Sequence, residues 1–142
     1  DYVRHRARAG MFSAASPPAN IATALAALDI IEREPERRQH VLALADRLRT
    51  GLRSLGLTVM GQDSPIASVH VGNIATAGRW AKQLFDAGIF AIPVVPPGVP
   101  PGMELIRLHA TAAHCEADIA RAIEVFSGVV ACRKRERTQT GD

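Results

Sequence analysis

The stretch VVPPGVPPGMELIRLHATAAH, residues 94–114, limits what this chain can fold into more than any other. Its four prolines, Pro96, Pro97, Pro100 and Pro101, fix φ near −65° and remove four backbone donors. Such a run is stiff and extended and cannot lie inside a helix or a central strand. The segment after it, MELIRLHA, is apolar and reads as a strand with an arginine in its middle. If that strand alternates, Leu105, Arg107 and His109 share one face and Ile106 and Leu108 the other. Stiffness just ahead of a charged side chain is a means of aiming it. Two uses remain open for Arg107: a bidentate clamp for a carboxylate, or an ordinary structural or surface arginine.

The rest of the chain reads as helices around short strands. Ser16-Pro17-Pro18 starts a helix, with Ser16 as its expected cap, and Ile21, Leu25, Leu28 and Ile31 follow at helical spacing. Pro35 ends or kinks it. A second helix carries Val41, Leu44, Leu48, Leu52 and Leu55 on one stripe, with Arg37, Arg38, Arg47 and Arg49 off it, and stops at Gly56. LTVMG and IASVHVG read as strands. Residues 74–87 read as a helix with Ala77, Ala81, Leu84 and Phe85 inward. IFAIPVV is extended, and a last helix covers about 115–130. The order predicts a small sheet with helices packed on it, an α+β or α/β layer. The early helices follow no strand, so they are expected to pack on something outside the chain.

Composition narrows the function classes. With 142 residues and 47% hydrophobic residues, the chain is long and apolar enough for one globular core. No apolar run reaches the roughly 18 residues of a membrane helix, so no membrane span is expected. No signal peptide is recognisable, and Cys115 and Cys132 form no disulfide framework, so a cytoplasmic setting is expected. The chain starts at Asp1 without a methionine, which suggests an excised piece.

The sequence pI near 9.4 invites a nucleic-acid reading. The basic residues, however, sit at the ends. Three arginines oppose one aspartate in residues 1–10, and four basic residues oppose two acidic ones in 131–142. That is +2 at each end, so the middle carries −1 of the total of +3. Frayed basic ends fit this better than a binding face, and no nucleic-acid partner is expected. His109, His114 and Cys115 match no metal-ligand spacing, so no metal is expected; His114 is expected to close the turn before the last helix. Ser13 stands just before a helix N-terminus, a setting that can hold phosphate.

Two segments together resemble the α-oxoamine synthases. FSAASPPANIATALAALDIIE is similar to that family's F-S/T-x-x-L-P-P segment, and GIFAIPVVPPGVPPGMELIRLHATAAH to its long Pro-loop, arginine and histidine segment. The resemblance spans residues 2 to about 127 and leans toward the serine palmitoyltransferase branch. It implies the fold-type I pyridoxal-phosphate transferase fold. Residues 1–34 would come from the large domain and interdomain helix, 35–131 would be the C-terminal small domain, and 132–142 a basic disordered tail.

The resemblance also implies an activity, a decarboxylative Claisen-type condensation of an amino acid with an acyl thioester on coenzyme A or a carrier protein. Arg107 would bind the substrate carboxylate. Ser13 would reach the cofactor phosphate of the partner subunit in a homodimer. Departures are Ser16 where Leu is usual, and Cys115 where Ser or Thr usually caps the last helix. The family's Schiff-base lysine has no counterpart, since Lys82 and Lys134 are the only lysines. No catalytic residue is therefore assigned. Pyridoxal phosphate is expected to be held mainly by a part N-terminal to this one, and the chain alone to be inactive. Alternatives are an aminotransferase-like fragment, a subunit needing a separate catalytic chain, or a non-enzymatic basic binding module.

Overall fold

The computed structural model describes residues 1–11 and 15–140, without the side chains of residues 4, 9, 11 and 133–140. Ser13 therefore lies outside the described residues. The chain divides into two compact units, Asp1–Pro35 and Glu36–Asp142.

The first unit is helical, with α1 (Tyr2–Arg6), α2 (Arg8–Met11) and α3 (Pro18–Arg33). Its third helix differs from expectation at its start. Pro17, not Ser16, is the N-cap, and no side chain caps it. The Pro17 carbonyl instead accepts from Asn20 N at 3.0 Å and Ile21 N at 3.3 Å. With proline at N-cap and N1, the fixed φ sets the entry and no hydroxyl is needed. The stripe of Ile21, Leu25, Leu28 and Ile31 forms as the spacing predicts, yet nothing on α3 is buried.

The second unit is a four-stranded antiparallel sheet with helices on one side. Its elements are α4 (Pro35–Ser54), β1 (Val59–Met60), β2 (Ile66–His70), α5 (Ile74–Asp86), β3 (Ile92–Val94), β4 (Leu105–His109) and α6 (Glu116–Thr140). The spatial order is β1-β2-β4-β3. Alternation along the strands separates two faces. Val59, Ala67, Val69, Ile106 and Leu108 are buried beneath the helices. Leu44, Leu48 and Leu52 come from α4, Ala77, Trp80 and Leu84 from α5, and Ile119, Ala122 and Phe126 from α6. Trp80 and Phe126 meet edge to face with centroids 6.5 Å apart. Gly51 lets α4 approach Ile123 of α6, since a Cβ there would collide with the isoleucine side chain.

Two expectations about side chains and one about a helix end change. Phe85 is two-thirds exposed and Trp80 takes the inward place. The two lie roughly 140° apart around α5, so one helix face cannot bury both. Arg49 is not solvated: it is 4% exposed and donates to Ser64 O at 2.6 Å. It sits between Leu48 and Leu52 on the inner side of α4, and the carbonyls of the β1–β2 turn meet its charge there. The last helix continues past residue 130 to Thr140.

Candidate functional site

Among the described residues of the second unit, no helix covers the sheet's other face. Strand pairing sets Ser68 opposite Arg107, His70 opposite Leu105, and Ile66 opposite His109. On the far side, Ile92 stands opposite Arg107 and Val94 opposite Leu105. Partnered residues share a face, so Leu105, Arg107 and His109 do line one side as alternation predicts. Arg107 stands near the centre, flanked by a serine, two histidines and branched apolar chains.

Arg107 is half-buried. Its Nε is shielded from solvent and meets no acceptor. Among the described residues no ion pair holds its guanidinium. A buried donor without a partner is uncommon in folded proteins, because water and acceptor are both lost. A half-buried, unneutralised arginine on a mixed polar and apolar face has the chemistry to hold a carboxylate through two parallel hydrogen bonds.

Two features hold the ends of β4. Upstream, the Glu104 carbonyl accepts from Val71 N at 2.8 Å and Gly72 N at 3.2 Å, and His70 Nε2 lies 2.9 Å from the Gly102 carbonyl. Downstream, Thr111 N donates to His114 Nδ1 at 3.1 Å, so His114 closes the turn as expected. The Asp118 carboxylate accepts from Cys115 N at 2.8 Å. That bond, reinforced by the side chain of Cys115 and the nearby His114, holds the Asp118 carboxyl below its ordinary value.

A cavity of about 720 Å³ opens where β4 meets the first turns of α6. Leu48, Ile89, Phe90 and Ile119 make its apolar wall, and Arg107, His109 and His114 also reach it. Among the described residues no group of three or more histidine, cysteine or acidic side chains could hold a metal ion. No helix among them is long and apolar enough to cross a membrane.

The sequence reading missed two residues. His70 drew no role, because its proximity to Arg107 depends on pairing strands far apart in the chain. Glu104 also went unremarked: it is 3% exposed, and its Oε2 has no hydrogen-bond partner.

The description of aminotransferases of class I and II matches residues 1–126. The chain belongs to this family. A Halalkalibacterium halodurans protein provisionally named 8-amino-7-oxononanoate synthase is 43% identical over 138 residues, 97% of this chain and 35% of its own. Serine palmitoyltransferase of Bacteriovorax stolpii is 37% identical over 127 residues, 89% of this chain and 30% of its own. The solved Sphingomonas wittichii serine palmitoyltransferase superposes with a TM-score of 0.81 at 26% identity, over 92% of this chain and 33% of its own. The chain thus spans about a third of the length of the curated relatives it matches. The small antiparallel sheet with flanking helices is the fold-type I transferase architecture that the sequence resemblance implied, and the α-oxoamine synthase resemblance stands with it.

This family's cofactor is pyridoxal phosphate, whose aldehyde needs a lysine amine. The described residues do not offer one at the open face. Lys82 lies on α5, on the covered side of the sheet, three-quarters exposed and paired with Asp86 at 2.7 Å. By themselves these residues do not fit the cofactor.

Proposed function

We propose that this chain is the carboxylate-holding part of a pyridoxal-phosphate-dependent α-oxoamine synthase, which condenses an amino acid with an acyl thioester and releases the thiol and carbon dioxide. Arg107 grips the amino acid's carboxylate and orients the bond to be broken. The observation that carries this reading is the half-buried guanidinium, free of any ion pair among the described residues, on the sheet face that no described helix of the second unit covers. Family membership supports the reaction class. The names of the relatives support acyl transfer over amino-group transfer.

The rest of the assignment follows from what this chain lacks. With no lysine at the open face among the described residues, pyridoxal phosphate and the electron sink it supplies belong to polypeptide beyond these residues. Ser13 reaches the cofactor phosphate of a partner subunit, so the working enzyme is a homodimer. The chain alone makes no product. Added pyridoxal phosphate gives it no specific aldimine absorbance.

The test is Arg107→Ala in the full-length polypeptide that carries this chain. Loss of a charge-assisted, bidentate hold raises the amino-acid KM and lowers kcat/KM by about 10- to 100-fold. Arg107→Lys keeps the charge but not the fork, and recovers only part. An Arg107→Ala enzyme with unchanged kinetics overturns the assignment.

A further inference from the structure

The proline loop has a shortage of donors. Between Val95 and Gly102 half the residues are proline, so only Val95, Gly98, Val99 and Gly102 carry an N–H. Gly98 N spends its own on Val95 O at 2.9 Å, inside the loop. Just beyond, Met103 N reaches back to Pro100 O at 3.0 Å. The loop must therefore be anchored mainly through its carbonyls, by donors from elsewhere.

The end of β2 supplies them. His70 Nε2 lies 2.9 Å from Gly102 O, and Val71 N and Gly72 N both bond Glu104 O. Three consecutive residues thus clasp two carbonyls, of Gly102 and Glu104, in the segment that leads into β4. A carbonyl only accepts, so His70 Nε2 carries the proton and donates. Gly102 makes the turn at a φ of +86°, which other residues rarely adopt. Its carbonyl is held by His70 three residues before the strand that carries Arg107.

Register then ties this clasp to the open face. Ser68 is opposite Arg107 and His70 opposite Leu105, so the imidazole stands diagonally from the guanidinium on the same side of the sheet. The Gly102 carbonyl must come over this side to meet it.

We propose that His70 is a positioning residue whose Nε2–H latches the proline loop over the open face and sets the space in which a carboxylate reaches Arg107. The positioning role rests on the carboxylate-binding reading of Arg107. His70 itself touches no reacting atom.

Three measurements test it. In the wild-type chain, nitrogen NMR shifts of His70 at neutral pH must report the Nε2-protonated tautomer; a dominant Nδ1–H form overturns the latch without any mutant. His70→Ala should speed amide exchange at Gly98 and Met103 about tenfold, while His70→Gln, whose amide can still donate to Gly102, stays near wild type. Unchanged exchange in His70→Ala overturns the latch.

In the full-length polypeptide, His70→Ala should raise the amino-acid KM about fivefold, the size of one ordinary hydrogen bond, with kcat within about twofold. His70→Gln should restore it. An unmoved KM in His70→Ala, where Arg107→Ala does raise KM, overturns the positioning role. If Arg107→Ala also leaves KM unmoved, the carboxylate reading has failed and takes the positioning role with it, while tautomer and exchange still judge the latch itself.

Discussion

Asp118 Oδ2 accepts the backbone N–H of Cys115 at 2.8 Å, three residues back across the first turn of α6. This is one half of a capping box, with Cys115 at the N-cap position and Asp118 at N3. The other half needs an oxygen at residue 115 to accept from the third turn position. Cysteine is a poor acceptor, so that half is weak.

Cys115→Thr should complete the box. The expected gain is about 0.5–1 kcal/mol, read as a higher urea midpoint with an unchanged slope. No gain would mean that the first turn of α6 is already satisfied by other means.

The same contact gives a pH dependence with a definite sign. The Cys115 hydrogen bonds, and to a lesser degree His114, lower the Asp118 pKa in the folded chain. A lowered folded value means stability that is present above the ordinary aspartate range and lost as pH falls through the still lower folded value. Asp118→Ala should therefore be less stable than wild type at neutral pH. The difference in urea midpoint should shrink toward zero as pH is taken below the aspartate range. A difference that persists there would place the effect outside Asp118 ionisation.

Glu104 is 3% exposed on the core side of β4, with Oε2 unpartnered. Burying a carboxylate without full hydrogen bonding costs stability that an apolar chain of similar size does not. Glu104→Met should stabilise the fold by about 1–2 kcal/mol in thermal or urea unfolding. A clear loss of stability instead would show that the carboxylate has a partner worth keeping.

Arg49 is buried and donates to Ser64 O at 2.6 Å, pinning the β1–β2 turn to α4. Arg49→Met keeps most of the packing and removes the charged donor. The expected cost is about 1.5–3 kcal/mol, the range for a hydrogen bond to a charged group. Amide exchange should rise first in residues 61–66. A change within experimental error would mean the turn holds itself.

The local elements were legible in the sequence because their causes are local. Proline and glycine punctuation and helical spacing located α3, α4 and α5 to within a residue or two. Alternation put Leu105, Arg107 and His109 on one face. His114 closing the turn before α6 follows from residue types a few positions apart. The long motif around the proline run carried the family, and through it the fold-type I architecture.

What the sequence could not determine was anything set by contact between distant segments. The pairing of Ser68 with Arg107 joins residues 39 apart, and no local preference encodes it. From that register alone came the nearness of His70 to the Arg107 face and the clasp on the proline loop. The burial of Trp80 rather than Phe85, and of Arg49 at all, depended on where α4 and α5 lay against the sheet. Periodicity defines a stripe on a helix; only packing chooses which edge of it meets the core, because side chains at the margins are sorted by what the neighbouring element offers them.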